Sequence, residues 1–405
     1  MGEEGNMTTI NDIFTSTGHK LLWHTEAIQG LRNGKPRVVT AHVMPTDVCA
    51  HKCGFCSVGQ RVGDVLPMRI ISGFVGTLKN HGLLSVIISG GGNPILYKCP
   101  ETGANFNNLI DMIHGMDLQI GLISDGMPLR RFEFTPPEDT DYHTFRESWG
   151  TVRPETLDKL TWVRISMAGL DHEEREVFVP DVDPTKTTLG FSYIAHDIWY
   201  EPADPYHGKV STSSDLISGD RNRAPDWTFE ERANELTTQI AHYVKTYRPR
   251  YARLLPNCLE PELIPRRCGR LAVMAEDINS EVGAEVVFVQ YKPPQAPKHC
   301  WNGYLHPTLA PDSYVYSCDS VVLAAADIGR KTGKPNHTFD HPWRLCRWDE
   351  VENRLFKQPV GSLLDSQRLC AGCVFHTQQA ILEGVVDGSL DLTPPEFEPE
   401  HSAFI

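Results

Sequence analysis

The chain has 405 residues, 40% hydrophobic and 22% charged, with a formal net charge of −14. That length exceeds one small core and predicts a large domain with a smaller module. The acidic balance argues against a broad phosphate-binding face, because nucleic-acid binders usually carry a basic patch. No run of about eighteen apolar residues occurs, so no membrane span is expected. The start, "MGEEGNMTTINDIF", lacks a basic segment followed by an apolar one, so no secretory signal is read there, and the expected location is cytoplasmic. Eleven cysteines, an odd number, read as metal ligands or redox groups rather than as a disulfide framework.

Short apolar runs at 37–44, 84–92, 118–126, 162–170, 188–196, 250–258 and 284–292 predict strands buried on both faces of a parallel sheet. Helical patterns at 68–81, 105–116, 153–160 and 228–247 fall between them, the last opening on Thr228 as a cap. This alternation predicts βαβ units and a partial barrel of about six strand–helix repeats, an α/β fold with its ligands at the C-terminal ends of the strands. Residues 127–152 and 197–227 read as long loops over that face. From 293 the texture changes: "APDS" forms a turn before "YVYSC", a β-hairpin that opens a cysteine-bearing module. The expected organisation is an N-terminal extension at 1–36, a barrel at 37–292, the cysteine module at 293–380, and an acidic tail or wrapped arm at 381–405.

"CAHKCGFC" places Cys49, Cys53 and Cys56 in one loop directly after the first predicted strand. Structural zinc wants four closed ligands. Three thiolates on a four-iron cube leave one iron open to chelate an amino acid and pass it an electron. A zinc knuckle completed by His51 or a distant cysteine is the alternative. The spacing C-x3-C-x2-C, with Phe55 before its last cysteine, resembles the radical S-adenosylmethionine (SAM) superfamily. In that family a [4Fe–4S] cluster cleaves SAM reductively to methionine and a 5′-deoxyadenosyl radical, which abstracts hydrogen from substrate.

The resemblance extends over about 37–292. "SGGGNP" at 89–94 is similar to the family's glycine motif, which implies that Gly90, Gly91 and Gly92 contact SAM. Asn93 stands in a stretch where the family usually has Glu, so any role of that carboxylate is not carried over. Ser124 in "LISDG" and Ser166 in "VRISMAG" resemble polar SAM contacts on the third and fourth strands, and Leu255 on the sixth is placed to pack on adenine. Each of these also has an ordinary core or turn reading. Cys99 and Cys258 follow strands at the same face and are the candidate catalytic thiols; buried, inert cysteine is the competing reading. Cys268, in what reads as a basic loop, is assigned nothing.

Cys300, Cys318, Cys370 and Cys373 form a second group. It resembles the twitch module, the shortened relative of the SPASM module, and implies an auxiliary [4Fe–4S] cluster. Cys346 or His376 is an alternative ligand, and four-thiolate zinc is the alternative site. An auxiliary cluster taking one electron from a substrate radical would complete an oxidation; without that transfer the radical rearranges.

The expected function is therefore hydrogen abstraction from a small polar substrate: a sugar, cyclitol, nucleoside or amino-acid derivative. The 48 residues before Cys49 look too few for a fused leader-binding domain. Peptide modification and nucleobase modification, including of phage DNA, stay as alternatives, as does a non-catalytic iron–sulfur or zinc protein. A flavodoxin or ferredoxin is the expected reductant.

Overall fold

The computed structural model describes residues 14–15, 18–49, 63–125, 152–171, 177–195, 229–256, 264–291, 297–319, 344–361, 363–365 and 373–405. The predicted long loops and the Thr228 cap fall outside them, apart from residue 152. Seven strands run parallel in chain order: β1 Thr40–Val43, β2 Ser85–Ile88, β3 Gln119–Ser124, β4 Trp162–Ser166, β5 Thr188–Ala195, β6 Tyr251–Pro256 and β7 Val287–Val289. All answer to predicted runs. The observed strands are shorter than these runs.

Helices return the chain between strands. The first two, α1 Gly18–Trp23 and α2 Thr25–Arg32, precede β1. Next, α3 Met68–Lys79 buries Ile70, Ile71, Phe74, Val75 and Leu78, one stripe of a 3.6-residue period. Then α4 Phe106–His114 starts at Asn105, whose side chain accepts from the amides of Asn107 and Asn108 while Asn108 reciprocates. A single turn, α5 Pro154–Leu157, precedes β4, and α6 Phe229–Tyr247 precedes β6. A helix that the motif reading did not expect, α7 Ile264–Val282, connects β6 to β7. Cys268 lies on this helix, which corrects the basic-loop reading: Pro265 is tolerated in a first turn, and Leu271, Met274, Ala275 and Ile278 form the buried stripe.

The cysteine module continues the barrel sheet. After β8 His299–Cys300 and α8 Asn302–Leu305, the strand β9 Thr308–Leu309 pairs parallel with β1. The expected hairpin follows: β10 Tyr314–Tyr316 pairs with β9, and β11 Arg344–Arg347 with β10, both antiparallel. The resulting ten-stranded sheet is open, ending at β11 and β7. β12 Leu364–Asp365 pairs with β8, and α9 His376–Asp387 follows. The expected 1–36 extension is integral: Leu21, Ile28 and Leu31 belong to the main core, and α2 packs on α9.

Residues 381–405, read as an acidic tail or wrapped arm, run against the barrel. The segment begins inside α9, and residues 402–405 are buried at the N-terminal ends of the strands. Thr40 and Ser85 donate their hydroxyls to the Ala403 carbonyl, and Ile405 donates its amide to Thr40 Oγ1. Phe404 meets Trp162 edge-on at 5.3 Å between centroids. Trp162 lies across its register partner Gly121, and Tyr251 across Gly190. A Cβ on either glycine would fall 2.1 or 2.2 Å from the ring, so only glycine lets these aromatics cross the neighbouring strand. With Phe14 stacked on Tyr251 at 4.2 Å, the rings floor the barrel interior.

Candidate functional site

The ends of β1, β2 and β3 are tied into one network. The Gly92 amide donates to Thr46 O at 2.8 Å, and the Asn93 amide to Val48 O at 2.8 Å. A Cβ on Gly92 would lie 2.0 Å from Val48 O, so the glycine loop needs its missing side chains to pack against the residue before Cys49. Asn93 donates from Nδ2 to Asp125 Oδ1 at 2.7 Å and accepts at Oδ1 from Ser124 Oγ at 3.1 Å. The Cys49 thiol faces Asp125 Oδ2 at 3.6 Å. Cys49, the glycine loop and Ser124 are thus brought together as the motifs predict. Asn93 and Asp125 organise them; the sequence signal was their place within the two matched motifs. Cys53, Phe55, Cys56 and Cys258 lie outside the described residues.

Cys300, Cys318 and Cys373 share a second small cluster with Ala310, Tyr316, Val374 and Phe375. Burial raises the Cys300 pKa, opposed by the Ser317 hydroxyl, the Asn302 and Gly303 amides and the Gln379 side chain, whose Nε2 is 3.4 Å from the sulfur. Donors converging on a buried sulfur are what an anionic thiolate ligand requires. Cys370 lies outside the described residues. Cys346 belongs to the main core instead, opposite Val315, its thiol pushed up to about 12 by burial and then by Glu350. The His376 amide donates to the Cys373 carbonyl at 3.3 Å. Among the described residues no three His, Cys, Asp or Glu side chains are arranged to hold a metal ion. The second group has the donor chemistry of a metal–sulfur centre, three cysteines in one small cluster with N–H donors at Cys300, and at the first group the glycine loop supports the segment that leads into Cys49.

Cys99 takes another place. It is buried in the main core, where the Met68 amide, the first of α3, donates to it at 3.4 Å. Burial opposes ionisation of this thiol, but the Thr102 hydroxyl and the amides of Met68, Glu101 and Thr102 bring it to about 7. It is not among the residues lining the central cavity.

That cavity, about 250 Å³, runs inside the curved sheet and is lined from β1 to β7. Trp162, Tyr251 and Phe404 form its floor; Ile87, Ile123, Ile194 and Leu255 form its walls; Asp319, Val374 and Phe375 bring it against the second cysteine group. Leu255 is therefore on the interior, as predicted, and Ser166 pairs with Ser192 at the end of β4. Polar residues of the same interior were not singled out from the sequence: His42, Arg164, Arg253, His306 and Asp319. For His42, Arg164 and Arg253 the signal was one polar residue breaking an apolar run, at the inward parity of its strand; His306 and Asp319 lie outside those runs and carried none.

Burial holds His42 neutral, its ring bonded to Ser89 Oγ, with Asp319 Oδ2 4.0 Å from Nδ1. His306 is lowered to about 4 by burial and then by His42, with Asp319 and the Ile405 backbone opposing. Lys20, beneath them, is lowered to about 7 by burial and then by Arg164. The interior thus offers neutral imidazoles beside a carboxylate, a set able to accept a proton from bound substrate.

No protein-family model matches the chain, and no curated protein matches it by sequence. Solved structures do. Streptococcus suis SuiB bound to precursor peptide SuiA is 12% identical over 92% of this chain and 77% of that one, at a TM-score of 0.45. Two further SuiB structures are covered over 64% and 62% of their length. Hexahistidine-tagged anSMEcpe with bound AdoMet is 13% identical over 88% and 97%, at 0.44. BtrN in complex with AdoMet and 2-DOIA is 11% identical over 91% and 98%, at 0.31. Likeness at these scores assigns no activity; what the site can do is read from its residues. Among the described residues no helix is long and apolar enough to cross a membrane.

Proposed function

We propose that this chain is a radical SAM enzyme acting on a small substrate held in the barrel interior. One observation carries the reading: the segment that leads from the first parallel strand into Cys49 is hydrogen-bonded to the glycine loop and, through Asn93, to the end of the third strand. Cys49, Cys53 and Cys56 would hold the SAM-binding [4Fe–4S] cluster, and Cys300, Cys318, Cys370 and Cys373 the auxiliary one. When bound, the first cluster supplies an electron for reductive cleavage of SAM. Gly90, Gly91, Gly92, Ser124, Ser166, Phe55 and Leu255 are the proposed SAM contacts.

The chain's own residues bind and orient substrate, exclude water from the apolar-walled cavity, and take a proton. His42 and His306, kept neutral by burial, are the proposed acceptors, with Asp319 orienting them. Because Asp319 adjoins Cys318 and Val374 adjoins Cys373, the cavity wall is continuous with the second cysteine group. This favours oxidation over rearrangement, since an electron acceptor would stand beside the substrate. The cavity's size favours a small molecule over a peptide or nucleic acid. A flavodoxin or ferredoxin is the proposed electron donor.

Anaerobic reconstitution with iron and sulfide, followed by SAM and dithionite, should release 5′-deoxyadenosine, detected by mass spectrometry. Cys53→Ala should abolish it. A reconstituted wild-type chain that binds iron but yields no 5′-deoxyadenosine ends the proposal.

A further inference from the structure

The proposed proton and electron transfers do not use the charge at the waist of the cavity. Arg164 is the third residue of β4, its side chain facing the interior. It is 9% exposed, and its Nε has no hydrogen-bond partner. No carboxylate lies within ion-pair distance among the described residues; its recorded contact is with the Trp162 ring, 5.3 Å from the centroid. A buried guanidinium without a counter-charge destabilises the fold unless a ligand supplies the charge. The neighbouring cations are engaged: Arg253 donates to Ser192 Oγ at 3.2 Å and Gln290 Oε1 at 2.6 Å, and Lys20 Nζ lies 3.5 Å from Phe404 O. Arg164 is thus the cation of this interior with an unbonded buried nitrogen, and a carboxylate would supply both its hydrogen-bond acceptor and its counter-charge. The aliphatic walls above it call for an apolar body.

We propose that Arg164 grips the carboxylate of an organic-acid substrate, such as an amino- or hydroxy-acid derivative, through its planar guanidinium fork, with the apolar part of that molecule lying between Ile87, Ile123 and Ile194. This names the substrate class for the radical reading and rests on it for the reaction, though not for the binding. SAM also carries a carboxylate. Arg164 stands two residues below Ser166, about 7 Å down the strand, and the SAM-affinity arm of the test separates the two carboxylates.

The test is calorimetric titration of the full chain as purified, with benzoate, benzamide and phenyl phosphate as probes. Wild type should bind benzoate about tenfold more tightly than the neutral isostere or the phosphate. Arg164→Met should erase that preference while leaving the melting temperature equal or higher, since it removes an uncompensated buried cation. If that variant does not fold, Arg164→Lys keeps the charge without the fork and should weaken benzoate about fivefold. After reconstitution, SAM affinity should be unchanged in either variant. The proposal falls if benzamide or phenyl phosphate binds as well as benzoate, if the preference survives substitution, if Arg164→Met lowers the melting temperature, or if SAM affinity is what drops. Failure of the radical reading shows separately, as absence of 5′-deoxyadenosine from wild type.

Discussion

His401 shows what a buried base does to stability. It sits under the barrel near Phe14 and Phe404, and is lowered to about 4 by burial first and Lys20 second, with Glu400 opposing and Arg250 adding to the shift. The unfolded chain would titrate this ring near its ordinary value of 6.5. Between those values the unfolded state holds a proton that the folded state lacks, so stability rises with pH across the window and is lost on acidification. The slope from one such group is at most about 1.4 kcal/mol per pH unit. His24, His42 and His306 are also lowered chiefly by burial and act in the same direction. His401→Gln should therefore flatten, without abolishing, the fall in urea-denaturation stability from pH 6.5 to 4. An unchanged slope would mean that His401 titrates normally. None of this was legible in the sequence, where "EHSAFI" reads as the end of an acidic tail; burial of a histidine is decided by what folds over it.

At the level of elements, legibility followed the length of the apolar pattern. Seven parallel strands and the helices at 68–79, 106–114 and 229–247 were visible because each repeats its signal over several residues. The strands β8, β9 and β12 have two residues each, too few for any period, and exist because β1 and the cysteine segments offer them partners. Helix α7 was hidden by its Arg-rich first turn. Residues 402–405 carry only three apolar side chains, yet they close the floor. Phe404 is 5% exposed, whereas Phe397, seven residues earlier, is 74% exposed. Phe404→Ala should cost about 3–5 kcal/mol through the cavity left against Trp162. Phe397→Ala should change stability by no more than about 0.5 kcal/mol. Equal losses in urea denaturation would show that the segment does not dock as described.

In the whole molecule, the two cysteine groups are organised by different elements, and their independence can be tested. The first is organised through the ends of β1, β2 and β3; the second through β8, the β9–β10 hairpin and the start of α9. Cys49, Cys53 and Cys56 stand out in the sequence because their short spacing is local, whereas the interior charges became visible only once the strands closed around them. No described hydrogen bond joins the Cys49–Asp125–Asn93 network to the Cys300–Gln379 contacts. Losing a ligand of the second group should then leave the first intact. Reconstituted wild type should hold about eight irons per chain, and Cys53→Ala and Cys318→Ala about four each. Cys53→Ala should lose 5′-deoxyadenosine production altogether. Cys318→Ala should keep it while losing oxidised product by about tenfold or more, because the radical would form with no acceptor beside it. Loss of 5′-deoxyadenosine in Cys318→Ala with its four irons retained would make the second group a partner in SAM cleavage. Zinc in place of those irons would remove the electron acceptor, leaving the second group a structural clasp on the barrel.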